Sequence, residues 1–324
     1  MSSESAPLDI LRDSYWPCLR DLLMCGEATP YPETPYVITL GNMPELRSLE
    51  LVLTLRPGVT APILWPSDYD AACPWPHLQS FTTCHANLED EIYRHLPPTL
   101  RRLLLYSYPY YGNIIWETSS GVRERQLQGA LLTASQMLEL LSRCQTPDLT
   151  ELAVEFFADD HEFALWRFLP RAFPRLTSLT IHVYRAENAP ADTLVPHIAR
   201  DLARLTHLTT LRIHPGFAPI FEPPMPFGGI YLGGPSPRTP SAAEERLKAA
   251  RDRAARTFAD TLSSSLHTIF LLHPRLPGAH WIQYRIVPGK QPQNKSRAGR
   301  CYELRYARGL ILATVEGSDR IISS

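Results

Sequence analysis

The sequence lacks the features that mark proteins of nucleic acid and membrane surfaces. Its 32 Lys and Arg residues are matched by 33 Asp and Glu residues, so no excess positive charge is available to neutralise phosphates or to hold an anionic membrane. No apolar run approaches the roughly 20 residues that a transmembrane helix needs, and the opening segment, residues 1–13, has neither the basic start nor the apolar core of a signal peptide. We therefore expect a cytoplasmic or nuclear protein that binds neither nucleic acid nor a membrane.

The sequence also lacks the spacing patterns of metal, disulfide and catalytic sites. Its six cysteines are scattered without C-x-x-C spacing, which favours reduced and mostly buried thiols over a zinc cluster or a disulfide framework. No G-x-G-x-x-G, Walker loop, G-x-S-x-G or H-E-x-x-H occurs, so nothing aims backbone amides at a phosphate or sets a base beside a nucleophile. We expect no catalytic residues, no metal and no cofactor.

One acidic cluster, Asp159, Asp160, His161 and Glu162, resembles a metal or acid–base site. Apolar residues follow it at nearly helical spacing, so it is better interpreted as a helix start with Asp159 or Asp160 at the N-cap. Negative charge is favoured there by the helix dipole and by the free N–H groups. A hydrolase built on His161 or His182 remains the alternative, and it predicts that alanine at either position abolishes an activity.

What the sequence does have is proline, 31 residues in 324, nearly twice the usual share of ~5%. Many of these prolines precede an L-x-x-L-x-L pattern that recurs along the chain. Its middle residues lie 22 to 58 positions apart, and most separations are near the leucine-rich-repeat period. The eight copies are Leu19/Leu22/Met24, Leu46/Leu49/Leu51, Leu78/Phe81/Thr83, Leu100/Leu103/Leu105, Leu149/Leu152/Val154, Leu176/Leu179/Ile181, Leu208/Leu211/Ile213 and Leu266/Ile269/Leu271.

The last L-x-L of each copy alternates with period two, which predicts one short strand per copy with one buried face. Segments of helical pattern separate the strands, at 88–96, 133–143, 161–173, 194–205 and 242–263. A single unit of this kind cannot bury its own apolar face, so the units must stack. The sequence predicts an α/β fold: an irregular leucine-rich-repeat solenoid with parallel strands on the concave face and helices on the convex face.

The chain resembles the repeat region of fungal F-box proteins with irregular leucine-rich repeats. The resemblance rests on the P-x-L-x-x-L-x-L copies and on the opening Trp16-Pro17-Cys18-Leu19-Arg20, and it covers most of 15–272. It departs from the family in having Thr54, Tyr108, Phe157 and Tyr184 where Asn or Cys is expected, and no room for an F-box before Tyr15. The resemblance implies the substrate-recognition arm of a ubiquitin ligase, with an F-box adaptor and a cullin as partners if an F-box is supplied. The alternative is a scaffolding repeat protein without ligase attachment.

A partner is expected on the concave face, because strand side chains alternate and the residues between the buried leucines must point to that side. Tyr, Phe and Arg are common there, and these residue types dominate binding hot spots. The opposing interpretation is an inert face on which the aromatics only cover strand edges. The predicted partner-binding residues are Glu50, Arg102, Tyr106, Tyr108, Glu151, Glu155, Phe157, His182, Tyr184, Arg212, His214 and Phe270.

The predicted organisation has three parts. Residues 1–14 form a flexible tail, 15–272 the solenoid with a loop insertion at about 215–241, and 273–324 a small β-rich cap that covers the open end of the repeat array. The aromatic stretch 106–116 is interpreted as locally packed. We expect a monomer within a complex, and the sequence does not identify the bound protein.

Overall fold

The computed structural model describes residues 8–27, 34–54, 61–106, 131–185, 193–217, 220–221, 241–273, 275–276, 280–288 and 302–306. It is a mixed α/β structure in which helices accompany a mostly parallel sheet. The helices are α1 (Leu8–Asp13), α2 (Tyr36–Thr39), α3 (Ile92–His95), α4 (Ala134–Ser142), α5 (Glu162–Ala172), α6 (Val195–Leu202) and α7 (Ala242–Thr261).

The main sheet contains ten described strands, and eight of them run parallel in chain order. These are β1 (Asp21–Glu27), β2 (Ser48–Thr54), β3 (Ser80–Cys84), β4 (Arg102–Tyr106), β5 (Glu151–Phe157), β6 (Ser178–Tyr184), β7 (Thr210–His214) and β9 (Thr268–His273). The antiparallel β11 (His280–Pro288) and β12 (Tyr302–Tyr306) extend the sheet beyond β9. A separate two-stranded pair joins β8 (Ile220–Phe221) to β10 (Arg275–Leu276). Each L-x-L copy thus forms a parallel strand, as the period-two pattern predicts.

Tight turns before the strands account for part of the excess of proline. In all eight copies the N–H of the first Leu donates to the carbonyl three residues earlier, at 3.0 to 3.3 Å. Six of these turns have proline at the second position, where its fixed φ is favourable; they are Pro17, Pro44, Pro76, Pro98, Pro147 and Pro174. Proline therefore starts the repeat units.

A ladder of shared carbonyls links the units beside these turns. The carbonyl of Arg101 accepts from the N–H groups of Thr150 and Glu151, and the carbonyl of Thr150 accepts in the same way from Thr177 and Ser178. The Thr150 and Thr177 hydroxyls donate to the same two carbonyls, at 3.0 and 3.1 Å. Each unit therefore satisfies backbone groups of the preceding one, which fixes the strand register.

The helices lie against the leucine face of the sheet and join it in one apolar core. Neighbours pack in sequence order, α4 on α5, α5 on α6 and α6 on α7. Capping boxes begin two of them, Thr133 with Gln136 at α4 and Ser241 with Glu244 at α7. The predicted helical segments therefore exist, and the one at 88–96 shortens to the single turn of α3.

A buried carboxylate holds the irregular segment between β2 and β3 against the chain before α3. Asp90 is 2% exposed and accepts from the N–H groups of Leu64, Trp65 and Ile92 at 2.7, 2.9 and 3.0 Å. Burial raises the pKa of Asp90 to about 6, even though these three N–H groups act in the opposite direction.

Two local predictions are corrected by the structure. Residues 8–13 of the predicted flexible tail form α1, because Leu11 is buried in the core and α1 packs on α2. The N-cap of α5 is His161, not an aspartate. Asp159 instead accepts from the backbone and hydroxyl of Ser135 in the first turn of α4 and from the His161 N–H. An acidic residue just before one helix can therefore accept hydrogen bonds from the first turn of the preceding helix.

Several predictions fall outside the described residues. They concern residues 1–7, most of the aromatic stretch 106–116, most of the insertion at 215–241, and most of the predicted cap at 273–324. In the described part of the chain, no helix is long and apolar enough to cross a membrane.

Candidate functional site

The strand register brings eleven of the twelve predicted partner-binding residues to one face of the sheet. We call it the open face: the strand positions opposite the core leucines, which in β11 are Trp281, Gln283 and Arg285. On it Arg102 lies beside Glu151, and Arg212 beside Phe270. The eleven are Glu50, Arg102, Tyr106, Glu151, Glu155, Phe157, His182, Tyr184, Arg212, His214 and Phe270; Tyr108 is outside the described residues.

Burial divides the open face into two halves, which the sequence does not predict. Near the C-terminal ends of the strands, Glu155, His182, Tyr184 and His214 are only 5 to 8% exposed. Near the N-terminal ends, Arg102, Glu151, Arg212 and Phe270 are partly exposed. The expectation that all the predicted residues meet solvent is therefore wrong for those four.

Ring packing accounts for this burial. The Tyr184 ring packs on Phe157 and His214, with centroids 5.7 and 6.4 Å apart, and its hydroxyl donates to Glu155 Oε2 at 3.4 Å. Trp281, from β11, places its ring edge-on to His182 at 5.0 Å. Residues distant in sequence thus cover the C-terminal half of the open face.

Phe217 adds a further ring to this half of the open face. It lies in the turn after β7, and a buried ion pair holds that turn in place. Arg185 pairs with Glu162 of α5, and their side chains are 7% and 5% exposed. Arg185 Nε also donates to the Pro215 carbonyl at 3.0 Å. Phe217, two residues further on, then lies 6.4 Å from the His214 ring.

Gly216 fits this turn for two reasons. Its φ is +87°, and a Cβ there would lie 2.5 Å from the Cδ atom of Arg185. Any larger residue would force the Arg185 side chain to shift.

The buried half holds neutral imidazoles at neutral pH. Burial lowers the pKa of His182 to about 3, with a further contribution from His214. Burial likewise lowers the pKa of His214 to about 4, opposed by the Phe217 backbone and assisted by Arg185. Burial, with Glu151 and Glu155, raises the pKa of Tyr106 to about 12. These groups pack as uncharged side chains.

The accessible half presents two preorganised arginines. Arg102 Nε donates to Glu151 Oε2 at 2.7 Å, with the side chains 43% and 32% exposed. The Arg212 guanidinium lies 4.8 Å above the Phe270 ring. A guanidinium held by a neighbour loses little entropy when it pairs with a ligand, so these positions suit recognition of a partner.

No protein-family model, curated protein or solved structure matches this chain. What the protein does has to be inferred from its own surface.

The acidic cluster serves the stacking of α4 and α5. Burial would raise the pKa of Asp159, but the hydrogen bonds from Ser135 and the His161 N–H outweigh it and bring that pKa to about 2. Glu162 accepts from Trp166 Nε1 at 3.0 Å as well as from Arg185. Within the described residues, no group of three or more His, Cys, Asp or Glu side chains is placed to hold a metal ion.

Sequence reasoning missed Trp281, Phe217, Arg185 and Arg285 as neighbours or members of the open face. The alternation over 281–287 does predict a strand, but its register against β9 depends on contacts that no local pattern encodes. The local signal that could have indicated the turn before Phe217 is Gly216, a glycine two residues after the end of β7.

Proposed function

We propose that the chain is an irregular leucine-rich-repeat solenoid that binds a protein partner on its open face, with the strands on the concave side. Two features support the repeat interpretation: eight parallel strands each follow the same type of tight turn, six of them with proline, and the apolar residues of these strands join the core with the helices. Such units bury apolar surface only by stacking.

The observation that carries the binding proposal is the accessible half of the open face. It combines Arg102 and Arg212, each oriented by a neighbour, with the aromatic Phe270 on a rigid, in-register sheet. Arginine and aromatic side chains contribute most of the binding energy at protein interfaces. The buried half stabilises this platform and offers little contact area.

We further propose that the partner is the target of a ubiquitin ligase, with this chain as the substrate-recognition arm. The support is the resemblance of the P-x-L-x-x-L-x-L copies to those of F-box proteins. On this proposal an F-box adaptor and a cullin belong to the same assembly.

Affinity purification of the tagged, natively expressed protein followed by mass spectrometry tests the ligase proposal. We expect the F-box adaptor and the cullin to co-purify, together with at least one further protein whose abundance rises when this chain is depleted. A stable partner recovered without adaptor or cullin, and unchanged in abundance on depletion, would instead identify a scaffold. The control is a culture depleted of this chain that expresses an unrelated protein with the same tag.

A further inference from the structure

Two neighbouring helices on the side of the sheet away from the open face are held in a fixed register. Helix α5 packs on α6, and two side-chain contacts join them. The Phe163 ring lies edge-on to the His197 ring with centroids 5.9 Å apart, and Arg167 Nε lies 3.7 Å from Asp201 Oδ2. In both contacts the two residues are 34 positions apart. The two helices therefore run side by side with one constant offset.

One turn beyond the second contact, this register brings three arginines together. Arg171 is four residues after Arg167, so it lies beside the residues just after α6, where Arg204 is exposed. Arg200 is four residues before Arg204, and the C-cap residue Ala203 keeps helical dihedral angles, with φ −60° and ψ −18°. Residues four apart share one side of a helix. We call Arg171, Arg200 and Arg204 the arginine cluster.

The positive charge of the arginine cluster is not neutralised within the described part of the chain. All three side chains are exposed, and none forms an ion pair with a described residue. Helices α5 and α6 contain two acidic residues, Glu162 and Asp201, which pair with Arg185 and Arg167. Asp260, near the end of the next helix α7, forms no ion pair with the cluster. The cluster therefore presents three guanidinium groups to solvent.

The position of the arginine cluster leaves its hydrogen-bond donors available to a ligand. Arg171 lies in the last turn of α5, and Arg200 in the last turn of α6, where the helix dipole favours positive charge. Arg200 and Arg204 nevertheless repel each other, as like charges four residues apart on a helix do. A bound anion would relieve this repulsion, and a carboxylate matches the planar fork of guanidinium N–H groups.

The extent of the arginine cluster favours a short acidic protein segment over nucleic acid. Four residues of helix span about 6 Å, so the cluster matches two or three carboxylates on neighbouring residues. Nucleic-acid binding depends on roughly 6–10 phosphate contacts, which is more than three arginines provide. The net charge of the whole chain is −1, so it adds no general attraction for a polyanion.

We propose that the arginine cluster binds an acidic segment of a second protein, with Asp or Glu carboxylates paired to Arg171, Arg200 and Arg204. The cluster lies on the helix side and not on the open face, so the proposal goes beyond the proposed function and does not depend on it. With both surfaces occupied, the chain joins two proteins, one on each side of its sheet.

Fluorescence anisotropy with a labelled peptide of three consecutive Glu residues flanked by Gly, titrated with the full chain at low ionic strength, tests this proposal. We expect saturable binding that weakens as salt is added. The same peptide with Gln in place of Glu should not bind. The double variant Arg171→Gln with Arg204→Gln should raise the Kd of the Glu peptide about tenfold or more. Gln and Arg have similar helix propensities, so the fold should be retained.

The matched control is the double variant Arg20→Gln with Arg47→Gln. Both residues are exposed, and neither forms an ion pair with a described residue. They also lie side by side, just before β1 and β2, because the Arg20 carbonyl accepts from the Arg47 N–H. Each double variant removes two neighbouring positive charges, so a difference between them depends on position and not on net charge. We expect the control to change the Kd by less than about twofold.

Three results would overturn the proposal. The first is the absence of saturable binding of the Glu peptide to the wild-type chain. The second is equal weakening by the two double variants, which would show only long-range attraction to positive charge. The third is tighter binding of a single-stranded oligonucleotide that is lost in Arg171→Gln with Arg204→Gln, which would assign the cluster to nucleic acid. Partner binding on the open face is tested separately through Arg102 and Glu151.

Discussion

Replacing Arg185 with alanine is expected to lower the free energy of unfolding by about 3–5 kcal/mol. The substitution leaves the Glu162 carboxylate in a site that is 5% exposed, where the Trp166 indole N–H still donates to it. It also removes the bond to the Pro215 carbonyl that positions the Phe217 turn. Since most domains have only about 5–15 kcal/mol of stability, the loss is easily measured by urea unfolding followed by circular dichroism.

Two variants control this experiment. Arg94→Ala removes an ion pair with Glu91 in which the arginine is 58% exposed, so we expect a loss of at most about 1 kcal/mol. The double variant Arg185→Met with Glu162→Gln removes both buried charges and should recover most of the stability. An Arg185→Ala loss no larger than that of Arg94→Ala would contradict the role assigned to the buried pair.

Mild acid is expected to destabilise the protein steeply, beginning below about pH 6.5. Burial lowers the pKa of His85 and of His214 to about 4 and that of His182 to about 3, whereas all three titrate near 6.5 in an unfolded chain. Between these values the unfolded state binds more protons, so stability is complete above about pH 6.5 and is lost as pH falls. With three histidines each contributing one proton, the free energy of unfolding falls by at most about 4 kcal/mol per pH unit.

Two aspartates modify this curve in opposite directions. Because the pKa of Asp90 is raised to about 6, the folded state binds its proton first, and this group favours folding as pH falls from about 6 to 4. Because the pKa of Asp159 is lowered to about 2, its stabilisation is present above about pH 4 and is lost below that. The net difference, three histidines less Asp90, is therefore about two protons, and the steepest loss is expected between about pH 6 and 5.

Urea unfolding across pH 7.5 to 5 measures this dependence. His214→Phe retains an aromatic ring against Tyr184 and Phe217 and should reduce the slope by one proton. His85→Asn should do the same, since Asn tolerates the left-handed backbone at this position, where φ is +62°. His207→Phe replaces an exposed histidine and should leave the curve unchanged. Identical curves for the wild type and His214→Phe would show that the buried imidazoles do not govern acid stability.

The strands and their buried faces could be predicted because their signal is local. In the fourth copy, Leu103 and Leu105 occupy alternate positions of one short strand, and the turn ending at Leu100 precedes them. Each element of that pattern lies within a few residues of the next. The same alternation assigned Arg102, Glu151 and Arg212 to the face opposite the core.

The two halves of the open face could not be predicted, because their burial depends on distant parts of the chain. Trp281 is 99 positions from His182 along the sequence, and Phe217 reaches His214 only through a turn fixed by Arg185 and Glu162. The same limit explains Asp159, whose partner Ser135 belongs to the preceding unit. Stacking creates contacts between units that no single unit's pattern contains.

The most direct test of partner binding on the open face compares two variants that each remove one ion pair. Arg102→Ala with Glu151→Ala removes the pair on the open face, and Arg167→Ala with Asp201→Ala removes a pair between α5 and α6 on the helix side. With the co-purified partner, we predict that the first variant raises the Kd about tenfold or more while the second leaves it unchanged. Equal Kd values for the first variant and the wild type, or weakening by the second alone, would contradict binding on the open face.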